Sequence, residues 1–313
     1  MSDPNSSERD ADLSAASYPP EAEISSGPLL VATDGTTAGE AAFRATALIA
    51  TKTSSSVDVM VVVEPLPVLV PDPSLVSEPL VASPQMLDAV RDRVISQLRG
   101  AAPGALQWKV EVEYGRPSDE IARKARDRVA QLIVMGLVHH SIVDRVLDGD
   151  TALEVVRHSR APVLLATADW KELPVRAIIA VDFSPQSMHA ARAGLRLLGD
   201  GASVVLAHVR PRLTVYDEMG MWEEEYEDAA ARELEKFSDA LNEPAGFHVE
   251  KVVLSGSSSG ALLALADKND AQLIVAGTRG AGLMQRVLLG SVATRLMHHA
   301  TRSLLIVPDP SSP

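Results

Sequence analysis

Residues 277–296 read GTRGAGLMQRVLLGSVATRL, in which Gly277, Gly280 and Gly290 are followed directly by Ser291 and an amphipathic run. Glycines let backbone N–H groups approach an anion closely. A helix starting near Ser291 would aim its unpaired N–H groups and the positive end of its dipole at that anion. The chemistry this arrangement suits is the binding of a polyphosphate. Arg279 and Arg286 inside the loop add positive charge, and the Ser291 hydroxyl can either donate to a phosphate oxygen or cap the helix. Taken singly, Gly277 or Gly290 could equally serve a turn or helix packing.

The same pattern recurs upstream in weakened form. Residues 130–136 (AQLIVMG) and 271–277 (AQLIVAG) differ at one position of seven, at an offset of 141. In register with the four motif positions stand Gly136, His139, Gly149 and Asp150, so the glycine and the serine are each lost once. A carboxylate at Asp150, with Asp148 beside it, would repel a phosphate at close range. The first copy is therefore expected to bind ATP poorly or not at all. His139, His140, Asp144, Asp148 and Asp150 gather imidazoles and carboxylates, but their spacing fits no familiar metal site, and no metal is expected.

Other nucleotide chemistries lack their residues. No Gly-x4-Gly-Lys-[Ser/Thr] loop occurs. The segments after the first strands read Asp34-Gly-Thr-Thr-Ala-Gly39 and Asp182-Phe-Ser-Pro-Gln, neither of which is a Gly-x-Gly-x-x-Gly fingerprint. No dedicated water-activating residue stands out. The chain has no cysteine, which removes disulfides, thiol catalysis and Cys-ligated zinc.

The elements that must position the motif are short aliphatic runs alternating with amphipathic stretches, the pattern of β-α-β units around a parallel sheet. Strands are expected at 29–33, 57–63, 107–114, 131–135 and 163–166, and again at 175–181, 203–209, 247–254, 272–276 and 304–307. Helices are expected near 38–51, 86–100, 118–128 and 150–158, then near 186–198, 221–241, 259–267 and 291–299. Asp34 and Asp182 end the first strand of each copy. Asp182 could also cap the helix beginning at Ser184-Pro185. The copies divide the chain into residues 28–169 and 170–313, joined at 167–174, with a Pro-rich surface loop at 64–85.

Length and charge agree with two ordinary domains. The 313 residues are 46% hydrophobic and 4% aromatic, with a net charge of −13. Residues 1–27 hold six acids and one arginine, and residues 217–228 hold seven acids and no base, so the remainder is nearly neutral. The first of these is expected to be a disordered acidic, Ser-rich tail, and the second a solvated helix face. Scarce aromatics and net acidity argue against nucleic acid and anionic membranes as partners. No apolar stretch approaches a membrane helix and no signal peptide is evident, so a cytoplasmic protein is expected.

On these motifs the sequence resembles the universal stress protein family, whose ATP-binding members carry Gly-x2-Gly-x9-Gly-[Ser/Thr] after the fourth strand. Gly277, Gly280, Gly290 and Ser291 match all four positions. The resemblance covers nearly the whole chain from residue 28, as a tandem pair. It implies an α/β fold of two open, doubly wound, parallel five-stranded sheets in strand order 3-2-1-4-5, Rossmann-like and akin to the adenine nucleotide α-hydrolases. It further implies ATP, with Mg²⁺, at the carboxyl ends of strands one and four of the second copy. Asp182 would then contact base or ribose, Val209 would wall the adenine, and Ala276 would sit beside the nucleotide. Gly277, Arg279, Gly280, Gly290, Ser291 and Val292 would complete the cradle. Fifth strands of such copies commonly pair, so 162–167 and 303–307 could meet as an intrachain pseudo-dimer, and two chains could associate further. Three functions remain open: a nucleotide-dependent stress sensor acting through an unidentified protein partner, a slow ATP hydrolase, and a nucleotide-free interaction scaffold.

Overall fold

A computed structural model describes residues 27–65, 83–105, 107–137, 151–168, 170–210, 223–242, 244–278 and 289–309. The acidic tail, most of the Pro-rich stretch, the 139–150 segment, the start of the 217–228 stretch and the loop holding Arg279, Gly280 and Arg286 fall outside these residues.

In the first half the elements run β1 (Leu29–Thr33), α1 (Thr37–Thr53), β2 (Val57–Val63), α2 (Pro84–Ala101), β3 (Lys109–Tyr114), α3 (Pro117–Asp127), β4 (Leu132–Gly136), α4 (Thr151–His158) and β5 (Val163–Ala166). In the second they run β6 (Arg176–Val181), α5 (Pro185–Arg196), β7 (Ser203–Arg210), α6 (Glu223–Leu241), β8 (His248–Ser255), α7 (Ser258–Lys268), β9 (Leu273–Gly277), α8 (Ser291–His299) and β10 (Ser303–Val307). The expected alternation holds throughout. Among the described residues the one addition is a 3₁₀ turn at Pro103–Ala105, where proline and glycine follow the end of α2.

Strand composition follows strand position. Central strands such as LIVMG, LIVAG and SLLIV are apolar on both faces because helices cover both faces. The two outermost strands, KVEVEY and HVEKVVLS, interleave charge, which discourages pairing with another chain. Helix starts follow local chemistry: Ser83 and Ser184 each accept a hydrogen bond from a first-turn N–H, and each is followed by a proline at the first helical position.

All ten strands form one sheet in the order β3-β2-β1-β4-β5-β10-β9-β6-β7-β8. Each half has the order 3-2-1-4-5 expected for it, and the two fifth strands join the halves. Pairing within each half is parallel. The β5–β10 seam alone is antiparallel, with Leu304 opposite Leu165 and Ile306 opposite Val163. The seam satisfies two strand edges that separate halves would leave open.

Two apolar layers flank the sheet, and each runs across both halves. One packs α1, α2, α5 and α6 around Phe43, Ile49 and Phe237. The other packs α3, α4, α7 and α8 around Ile121, Val155, Leu262 and Leu296. The segment between the halves is itself anchored. Trp170 is 3% exposed, and its indole N–H donates to the buried Ser303 Oγ at 2.7 Å. The Thr167 N–H donates to the same oxygen at 3.1 Å.

Candidate functional site

In the second half the strand order reverses at β6. The chain goes from β6 to β7 on one side, while β9 pairs on the other, with Ile179 opposite Val275. Helices leave to opposite faces there, and the carboxyl ends of β6 and β9 meet at the switch point, the usual ligand position in an open α/β sheet.

Asp182 follows β6 directly. Its Oδ1 accepts hydrogen bonds from the Ser184 N–H at 3.1 Å and the Ser184 hydroxyl at 2.5 Å. Ser184, in turn, caps α5 by accepting from the Ser187 N–H at 3.1 Å. The helix cap is thus Ser184, while Asp182 braces the turn that presents it. Between them Phe183 has φ +63°, a left-handed conformation rare for a bulky side chain.

Sequence reasoning missed what holds that turn. The Phe183 ring lies against the His208 imidazole with centroids 4.4 Å apart. His208 Nδ1 is 2.9 Å from the Val181 carbonyl and Nε2 is 2.9 Å from the Tyr226 hydroxyl. A carbonyl can only accept, so Nδ1 carries the proton and, in the neutral ring, Nε2 accepts from Tyr226. The imidazole therefore pins the end of β6 to its neighbour β7 and to α6. An out-of-pattern histidine inside the run VVLAHVR was the available signal.

The other wall comes from β9 and α8. The Thr278 N–H donates to the Val307 carbonyl at 2.9 Å, and the Thr278 carbonyl accepts from the Gly290 N–H at 2.6 Å. The chain leaving β9 and the chain entering α8 are thereby tied together across residues 279–288. This brings Gly277, Gly290 and Ser291 to one place, with Thr278, another residue the sequence did not single out, as the clasp. Gly290 is the N-cap of α8, without a side-chain cap, and its carbonyl accepts from the Thr294 N–H and hydroxyl. Of the two roles open to Ser291, capping is excluded: it is the first helical residue and is exposed. The Gly290 φ of −76° suits any residue, so at this position glycine offers a missing side chain rather than backbone freedom. The first-turn N–H groups of α8 lack intrahelical partners, as at any helix start.

Ala276, 3% exposed, lies in the same apolar layer as the partly buried Val209 and Val292, together with Leu289, Val252 and Leu254. Asp182, Val209, Ala276, Gly277, Gly290, Ser291 and Val292 are thus placed by adjoining elements. Arg279 and Gly280 lie outside the described residues.

The first half has the same frame with different fittings. Asp34 Oδ1 accepts from the Thr36 N–H at 2.8 Å, and the left-handed position after it is a glycine, Gly35, with φ +79°. Gln97 from α2 donates to the Gly35 carbonyl at 2.6 Å, where the second half uses the histidine and tyrosine. A Cβ at Gly136 would stand 2.2 Å from the Ala38 carbonyl oxygen, so this glycine is required by the approach of α1. His139, Gly149 and Asp150 lie outside the described residues. Among the described residues no cluster of three His, Cys, Asp or Glu could hold a metal ion, and no helix is long and apolar enough to cross a membrane.

The fold is a pair of doubly wound α/β halves fused through their fifth strands. The model of the universal stress protein family matches the chain twice, over residues 26–167 and 176–308. The chain belongs to that family, as a tandem member. A universal stress protein from Mycolicibacterium smegmatis is 28% identical over 60% of this chain and 66% of its own length, just under two thirds. Another, from Methanocaldococcus jannaschii, is 30% identical over 43% of this chain and 82% of its length. Among solved structures, a universal stress protein from Archaeoglobus fulgidus superposes with a TM-score of 0.65 at 20% identity, over 93% of this chain and 99% of that one. At that identity the likeness speaks for the fold.

Proposed function

We propose that the second half binds an adenine nucleotide, ATP with Mg²⁺, and that the chain acts as a nucleotide-dependent regulator in a stress response. The observation that carries this reading is the clasp between Thr278 and Gly290, which sets a glycine-capped helix start beside the carboxyl ends of β6 and β9. A phosphate chain at that helix start meets unpaired N–H groups and the positive dipole end. In this reading Ser291 donates to a phosphate oxygen, and Gly277, Arg279 and Gly280 line the phosphates. Val209, Ala276 and Val292 form the apolar wall for the base, and Asp182 contacts base or ribose. Bound Mg²⁺ neutralises part of the triphosphate charge and takes ligands from it. The first half, with Asp150 where the second has Ser291, is read as a partner-facing copy without nucleotide.

The test is to purify the full chain without added nucleotide, release small molecules by denaturation and identify them by mass spectrometry. About one adenine nucleotide per chain from wild type, and none from Gly290→Asp, supports a single site in the second half. An ATP to ADP ratio that drifts on incubation assigns slow hydrolysis to the same site. No nucleotide in wild type, together with no rise in melting temperature on adding Mg-ATP, sinks the reading and leaves a scaffold.

A further inference from the structure

The antiparallel seam sets the starts of β4 and β5 level with the ends of the second half's strands, because Ile306 near the end of β10 faces Val163 at the start of β5. A cavity of about 340 Å³ opens there between the halves. It is lined by Arg126, Gln131, His158, Ser159 and Arg160 from the first half and His189 from α5, with alanines and Pro162 supplying most of the remaining wall. None of the residues in the nucleotide reading lines it.

Its lining carries two arginines and no acidic residue. Arg123, Arg128, Arg157, Arg176 and Arg302 each pair with a carboxylate. Arg126 and Arg160 make no ion pair with any carboxylate among the described residues. His158 lies 3.8 Å from Glu154, which Arg157 already engages at 2.5 Å. Burial, and then the neighbouring Arg192, holds the His189 imidazole below its ordinary pKa, while Asp309 acts in the opposite direction. Two arginines, whose guanidiniums can each grip an oxyanion through two parallel N–H bonds, thus line a cavity whose remaining wall is mostly aliphatic. A concave, largely apolar wall with a few convergent polar groups is the usual form of a small-molecule site.

We propose that this cleft binds a small organic oxyanion, a carboxylate or phosphate on an apolar body, with Arg126 and Arg160 holding the anion and the alanine wall holding the body. Because α5 comes from one half and the arginines from the other, the bound molecule bridges the seam.

The experiment titrates phenyl phosphate, benzoate and uncharged phenol into the full chain and follows the ring resonances of His158 and His189, assigned with His158→Gln and His189→Gln. Both resonances are expected to move to saturation with at least one of the two anions. Phenol is expected to bind at least tenfold more weakly, and the combined Arg126→Gln, Arg160→Gln variant to weaken the anion at least tenfold. Both arginines are exposed, so their loss leaves the fold in place. Whichever of benzoate and phenyl phosphate binds more tightly identifies the anion. Repeating the titration on Gly290→Asp separates this site from the nucleotide cradle, because unchanged affinity there supports the cleft whether or not ATP binds elsewhere. Phenol binding as tightly as the anions, indifference to the double substitution, loss of binding in Gly290→Asp, or static imidazole resonances would each overturn the proposal.

Discussion

The two halves share a frame but differ at the turn after the first strand and at the start of the helix after the fourth. After the first strand, one half turns through Gly35 braced by Gln97, and the other through Phe183 braced by His208 and Tyr226. After the fourth strand both have a glycine, and at Gly136 that glycine is fixed by the 2.2 Å approach of the Ala38 carbonyl. At the start of the following helix one half has Gly149-Asp150 and the other Gly290-Ser291. The lesson is that a motif glycine is not by itself a sign of ligand. Packing alone demands the first one, so the discriminating residues are those at the helix start.

The sharpest break of that comparison is Gly290→Asp against Gly149→Asp. If the nucleotide binds as proposed, a carboxylate at the α8 cap faces its phosphates, so ATP affinity measured calorimetrically should fall at least about a hundredfold, since a like charge in such a site costs several kcal/mol. The same change in the first half should leave affinity unaltered. Equal losses would mean that the halves do not differ as argued.

Gly136→Ala tests the structural reading of the shared glycine. Its methyl group meets backbone rather than a yielding side chain, so urea unfolding should show a loss of about 2–3 kcal/mol. Nucleotide binding should be unchanged in the folded protein.

Ser303→Ala probes the seam that makes the comparison possible. It removes the acceptor of both the Trp170 indole N–H and the Thr167 N–H in a residue 1% exposed. Stranding buried donors should lower stability by about 2 kcal/mol, measured by thermal or urea unfolding.

The smallest effect concerns the two outer strands. On β3, Glu111 pairs with Lys109 at 2.5 Å and with Lys124, and these hydrogen bonds hold its carboxyl down from 4.5 to about 2. On β8 the counterpart is one Lys251–Glu235 pair with the glutamate well exposed. A carboxyl with a lowered folded pKa stabilises the fold above its unfolded value. The Glu111 contribution should therefore be complete above pH 4.5 and disappear as pH falls toward 2. Glu111→Gln should cost about 1 kcal/mol at neutral pH, discounted for solvent screening, and nothing near pH 2. The matching Glu235→Gln change should be close to silent.

The fold was legible because its signals are periodic and redundant. Short apolar runs such as LIVMG and LIVAG, alternating with amphipathic helical stretches, read as strands buried on both faces, and a near-copy at an offset of 141 announces the duplication. The strand order, by contrast, came through the family resemblance, since no local pattern distinguishes which parallel strands become neighbours. At the switch point the glycine and serine spacing was visible. Thr278 was not, because its contribution is made by backbone groups that any residue possesses. Phe183 was equally hidden, since nothing in the sequence marks a phenylalanine held at φ +63°. The stretch 167–174 read as a charged, proline-bearing boundary, and the burial of Trp170 arises only when β10 arrives with Ser303.

That late arrival matters while the chain is being made. Ser303 and Thr167 are 136 residues apart, so the first half emerges during synthesis with β5, an apolar strand buried on both faces in the finished sheet, still lacking its edge partner. Until the rest of the chain has been made and folded, that edge is a template for pairing with the same edge of a neighbouring nascent chain. Closure of the seam is also a very long-range contact, of the kind that forms slowly. The antiparallel joint that gives the mature protein one continuous sheet is, during translation, an open strand edge.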